Sequence, residues 1–242
     1  GRVRLNANSD VPIGAILEKP AAPVLEEFAI ERQSDDSIQF ERVLPGQIAL
    51  RKKFSLPAPP NEKDNFVAQL EVSFRNDGAR PYVNGGYFIA LGSAAPTHEK
   101  DWPNYTRVTW CVGGKAKYTD VNWFAEQNKF FGMQKRPAQE YYSEKLNGAD
   151  WAGVSNQFFV TLITPLDAKA TEIWARRFEP QPAPTPSTPN LFAIKAALGM
   201  PGVHFQPSQP APANSQFYAC PKTYPRHPKL HHTPPHTLQL GP

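Results

Sequence analysis

Strict alternation of apolar and polar residues in short runs constrains this chain more than any other feature. In the run from Phe66 to Phe74, residues Phe66, Ala68, Leu70, Val72 and Phe74 fall on one face, and Gln69, Glu71 and Ser73 on the other. A side-chain period of two is that of a β-strand with one face buried. Ile48, Leu50, Phe54 and Leu56 repeat the pattern against Arg51, Lys53 and Ser55. Lys52 intrudes on the apolar side of that run, which predicts an edge strand. Further strands are expected over 24–32, 38–44, 86–91, 105–112, 154–163, 171–178, 191–198, 204–205 and 216–219.

Turn chemistry separates these runs: Pro45-Gly46, Asn76-Asp77-Gly78, Asn84-Gly85-Gly86, Gly113-Gly114, Asn147-Gly148 and Thr164-Pro165. Gly85-Gly86 and Gly113-Gly114 read as hairpin turns, not phosphate cradles, because no phosphate-loop or dinucleotide glycine pattern surrounds them. Helical periodicity is scarce, and its best candidate is the short stretch 122–131. The pattern predicts an all-β fold, a large antiparallel sandwich with little helix. At 242 residues with 40% apolar side chains, the chain can bury one sizeable core. Composition shifts after Glu179: fifteen of the 27 prolines stand at position 180 or later. Residues 179–190 read as an extended proline-rich loop inside the domain, since strand-like sequence resumes at 191. Residues 1–224 are read as one domain and 225–242 as an irregular Pro- and His-rich tail.

Few residues invite chemistry. Four of the six histidines (His227, His231, His232 and His236) lie among prolines near the C-terminus, where nothing rigid holds a ligand set, so no metal site is expected. No Gly-x-Ser-x-Gly occurs, and neither Cys111 nor Cys220 sits in a catalytic signature or a Cys-x-x-Cys. Cys111 reads as strand packing, and the two thiols leave a disulfide open. The adjacent pairs Glu26-Glu27 and Asp35-Asp36 point to opposite faces of a strand and make poor acid–base partners. Catalytic and cofactor-binding residues are therefore expected to be absent. The net charge of +4 with no basic face carrying interleaved aromatics argues against a nucleic-acid partner. Trp102, Trp110, Trp123, Trp151 and Trp174 read mainly as core and rim packing, with an exposed apolar groove left open. No run approaches the roughly 20 apolar residues of a membrane-spanning helix. The first residues lead into polar sequence rather than the apolar core of a signal peptide. The chain reads as a fragment whose membrane anchors lie outside it.

One stretch carries more than composition. Gly148 to Phe159 reads as a small polar turn, then a buried strand in which Trp151, Phe158 and Phe159 anchor packing on both faces. Its pattern of Trp151, Gly153, Asn156, Gln157, Phe158 and Phe159 resembles the Asn-Gln-Phe-Phe segment of the periplasmic domain of the YidC membrane protein insertase family. Phe40-Glu41-Arg42 with Pro45-Gly46-Gln47-Ile48, and Leu70 to Asn76, resemble earlier family blocks in the right order. Pro221, Lys222 and Tyr224 resemble the Pro-Lys-x-Tyr that closes the family domain. Two departures stand out: Cys220 where the family has Gly, and Pro225, Pro228, Pro234 and Pro235 where the family has a helix leading to the second membrane span.

The resemblance implies a large β-supersandwich in the bacterial periplasm, attached to the inner membrane only through segments not in this chain. It implies a non-catalytic scaffold and docking role in inserting and folding inner-membrane proteins. Sec translocon accessory subunits and nascent membrane proteins are the implied partners, and no cofactor is implied. Trp151, Gly153, Asn156, Gln157, Phe158, Phe159, Pro221, Lys222 and Tyr224 are then signature residues with a structural role. Two other readings stay open: a carbohydrate epimerase of the aldose mutarotase type, which shares the supersandwich, and a stand-alone sugar- or peptide-binding β-sandwich. The former needs an acid and a base converging in one groove, and only His98 and His204 lie in the body of the domain.

Overall fold

A computed structural model describes residues 6, 9, 11–22, 28–57, 66–127, 136–180, 190–207 and 210–221. Its strands are β1 (Ile16–Leu17), β2 (Ala29–Gln33), β3 (Ser37–Leu44), β4 (Ile48–Ser55), β5 (Val67–Asn76), β6 (Tyr82–Asn84), β7 (Tyr87–Ala94), β8 (Arg107–Val112), β9 (Lys115–Asp120), β10 (Tyr141–Ser155), β11 (Phe159–Pro165), β12 (Ala170–Phe178), β13 (Ala193–Met200), β14 (Val203–Phe205) and β15 (Pro210–Pro221). The fold is all-β, as the alternation predicts. Thirteen strands form one antiparallel sheet whose main path runs β1-β7-β13-β12-β10-β11-β15-β5-β4-β3-β2, with β8 and β9 branching from β10. A separate ribbon pairs β14 with β6.

The long strand β10 joins the two halves. Its first half pairs with β12, and its second half pairs with β11 and with β8 on the opposite edge. Ala149 sits at the handover, opposite both Ala170 and Val112. The register shifts between Lys145 and Ala149, and Gly148 there has φ of 79°. The Asn147-Gly148 turn signal is therefore a bulge inside a strand, not a strand boundary. A bulge bends and twists the strand, which lets it leave one layer for the other.

The two layers close on a single main core. Ile48, Leu50, Leu70, Val72 and Phe74 from one arm meet Tyr87, Ile89, Leu91, Ile173, Ile194 and Leu198 from the other. Leu70, Val72 and Phe74 are at most 2% exposed, so the alternating run buries the face its sequence marks. Each such side chain contributes roughly 1.5–3 kcal/mol on leaving water.

Several local expectations are corrected. Residues 154–163 are not one strand: β10 stops at Ser155 and β11 starts at Phe159. The cause is Asn156, whose Oδ1 accepts from the amides of Phe158 and Phe159 at 2.9 and 2.8 Å and closes a hairpin. β4 is no edge strand, because β3 and β5 flank it in full register. Thr164-Pro165 ends β11 opposite Gln216 and Ser215 instead of forming a turn. Gly113-Gly114 does join a hairpin, β8 to β9, whereas Gly85-Gly86 carries the chain from the β14–β6 ribbon into β7. The helix expected over 122–131 is a 3-10 turn, Val121–Phe124, as far as the described residues run. Asp120 caps it by accepting from the amides of Asn122 and Trp123, and Ala125 is already extended, so the turn stops after four residues. The strands β1, β6, β9 and the first half of β10 escaped the sequence reading. The proline-rich stretch 181–189 and the tail from 222 lie outside the described residues.

Candidate functional site

The signature block forms the tip of the β10–β11 hairpin and ties down the loop between β7 and β8. Trp151 is 5% exposed on β10. Gly153 lies between Thr109 of β8 and Leu162 of β11. A Cβ there would stand 2.4 Å from the Thr161 carbonyl oxygen, so only glycine permits this approach. Asn156 is buried, and its Nδ2 donates to the Ala95 carbonyl at 2.7 Å while Oδ1 holds its own turn. Gln157 Oε1 accepts from the Trp102 amide at 3.3 Å. Phe158 is 37% exposed at the tip, with the His98 ring edge-on at 5.9 Å. Phe159 is half-buried and pairs in register with Pro221. The expectation that Phe158 and Phe159 both lie buried in one strand is thus corrected: the first is a turn residue at the surface.

The block brings Asn156, Gln157 and Phe158 against loop residues Ala95, His98 and Trp102. Pro221 joins through the β15–β11 ladder. Lys222 and Tyr224 lie outside the described residues. Every contact at Asn156 secures backbone, which is a latch's work, not a reagent's.

Other titratable groups at this end are spent likewise. Asp101 Oδ2 accepts from the Thr97 amide at 2.7 Å, the Thr97 hydroxyl at 2.8 Å and the His98 amide at 3.1 Å. His98 is exposed beside it, and His204 stands on β14 in the separate ribbon, so the two belong to different elements. Cys111 is a buried free thiol, as strand packing predicts, and burial pushes its pKa up, reinforced by the Asp150 charge. Among the described residues, no group of three His, Cys, Asp or Glu side chains could hold a metal ion.

Two constellations escaped the sequence reading. On β10, Tyr142 donates its hydroxyl to Glu144, which also pairs with Lys117 Nζ at 3.1 Å. The Tyr142 ring lies 5.0 Å from Trp123 and 5.5 Å from Trp110. Burial, then the Glu144 carboxylate, push the Tyr142 hydroxyl far above the usual phenol range. Burial by itself would raise Glu144, but hydrogen bonds from Tyr142 and Lys117 outweigh it and hold Glu144 below the ordinary carboxylate range. The alternation Tyr142, Glu144, Leu146 was the available signal. The second constellation surrounds Lys52, whose ammonium lies 4.1 Å from the Phe28 ring centroid and 5.8 Å from that of Phe40. The sequence marked Lys52 as an anomaly but gave no sign of Phe28.

The geometry offers a structural latch and two aromatic–charge clusters, and known proteins bear on what they serve. The family model described as the YidC periplasmic domain matches residues 26–233. No curated protein matches the chain in sequence. Among solved structures, a galactose mutarotase related enzyme from Lactobacillus acidophilus is similar at 13% identity and TM-score 0.50, covering 81% of this chain and 71% of that one. A putative aldose 1-epimerase from Escherichia coli K12 is similar at 12% identity and TM-score 0.46, over 81% and 69%. At 13% identity the likeness to the first of these is one of fold alone.

Proposed function

This chain belongs to the YidC periplasmic domain family, and from that membership we propose that it is a scaffold and docking module of a membrane protein insertase, without catalysis of its own. The family match over 26–233 carries the reading. The latch at Asn156 supports it, because a residue that the sequence resemblance assigns to the family signature is engaged in holding two loops together. In this role the domain stands in the periplasm beside the inner membrane. It assists the insertion and folding of membrane proteins and meets Sec translocon accessory subunits and nascent chains. Among the described residues no helix is long and apolar enough to cross a membrane. On this reading membrane attachment and the insertion chemistry belong to the rest of the insertase.

The test uses the full-length insertase that carries this domain. Excising residues 26–233 should abolish co-purification of the Sec accessory subunits while leaving the membrane helices assembled. Unchanged co-purification would overturn the docking role.

A further inference from the structure

Lys52 sits half-buried on the inner face of the sheet, between Phe40 of β3 and Val72 of β5. Its stem crosses apolar surface and its ammonium lies over the Phe28 ring, with Phe40 beyond. Among the described residues no carboxylate pairs with it, although Arg51, Arg75, Lys117, Lys145, Lys169 and Arg176 all have carboxylate partners. Ring quadrupoles offset only part of the cost of taking an ammonium out of water. Burial accordingly lowers the Lys52 pKa.

The surface around it is apolar and incompletely covered. Ile30 of β2 lies opposite Phe40 and is 58% exposed. Ile38 and Phe54 face each other across β3 and β4, both half-buried, and the Phe54 ring packs edge-on against Phe40 at 6.5 Å. Arg42, two positions along the same face, already has a partner. We propose that this inner face of β2–β4 binds a long-chain fatty acid, its carboxylate on Lys52 and its acyl chain along Phe28, Ile30, Ile38, Phe40 and Phe54.

Charge and backbone both favour this occupant. One ammonium with no carboxylate partner among the described residues matches one monoanion. β3 and β4, which carry Phe40 and Lys52, are hydrogen-bonded to neighbours on both sides, so an extended peptide laid beside Lys52 would find no spare amide or carbonyl on either strand. An acyl chain brings a single polar end and otherwise apolar surface, which is what the face can accept. The inference stands apart from the docking role and survives its failure.

The test titrates carboxyl-labelled laurate, below its micelle concentration, into the full chain, with dodecanol and dodecyltrimethylammonium as controls. Laurate should bind saturably at one site, at least tenfold tighter than either control, and lose about fourfold in affinity per methylene removed. Lys52→Met should weaken laurate at least tenfold, and Lys52→Arg should retain most of it. Equal binding of dodecyltrimethylammonium, indifference to Lys52→Met, or no saturable binding would overturn the proposal. If Lys52→Met fails to fold, nuclear Overhauser contacts in the native protein decide. Laurate methylenes should reach the Phe28, Phe40 and Phe54 ring protons, and contacts confined to other residues would overturn it.

Discussion

At position 52 an ammonium occupies a place that alternation reserves for an apolar side chain. The sheet tolerates it because the core thins towards β3, where Phe40 is only half-buried and the ring of Phe28 lies over the charge. The cost is visible in titration. Burial sets the folded pKa of Lys52 below its ordinary 10.5, so between the two values the unfolded chain binds more protons than the folded one. Stability then rises with pH through that window, and the destabilisation is fully present below it. Lys52→Met removes the buried charge and should be the more stable protein at pH 7. Its advantage over the parent should shrink as pH climbs towards 10.5. Urea midpoints of the two proteins between pH 7 and 10.5 check this, and parallel profiles would contradict it. Lysine at this position was legible in the sequence; its surroundings were not, because Phe28 arrives from a different strand's approach.

Among the elements, the β10–β11 hairpin shows how a short polar group overrides a hydrophobic run. Residues 154–163 have the composition of one buried strand, yet Asn156 accepts two amide protons that a continuous strand would give to its neighbours. The result sorts two aromatics that the sequence reads alike. Trp151, inside β10 at 5% exposure, should cost about 3–5 kcal/mol when changed to alanine. Phe158, on the turn at 37% exposure, should cost less than about 1 kcal/mol. Chemical denaturation of Trp151→Ala and Phe158→Ala measures both, and equal losses would restore the single-strand reading. The bulge at Gly148 belongs to the same lesson. Asn-Gly signals a break in the ladder, but whether the chain turns back or merely bends depends on which strands wait on either side. Here β12 and β8 both do, and the strand bends.

For the whole molecule, the supersandwich likeness to a galactose mutarotase related enzyme raises one direct question. Anomer interconversion needs an acid and a base converging on one sugar. His98 stands in the loop before β8, His204 on the β14–β6 ribbon, and Glu144 is engaged by Tyr142 and Lys117. The purified chain should therefore leave the rate of galactose mutarotation at its buffer value in polarimetry. Acceleration abolished by His98→Ala, His204→Ala or Glu144→Gln would establish an enzyme. The all-β class, most strand positions and the family were readable from residue order, because a period of two, a turn residue and a short sequence block are local properties. Pairing was not: β1 reaches β7, β13 reaches back to β7, and β15 inserts between β11 and β5, over separations no local pattern encodes. Which face of β4 meets a core, which end of β11 meets Pro221, and that Lys52 lies over Phe28 are consequences of those pairings. Local sequence determined what each strand could bury, and the tertiary structure decided against what, since burial is a relation between segments distant along the chain.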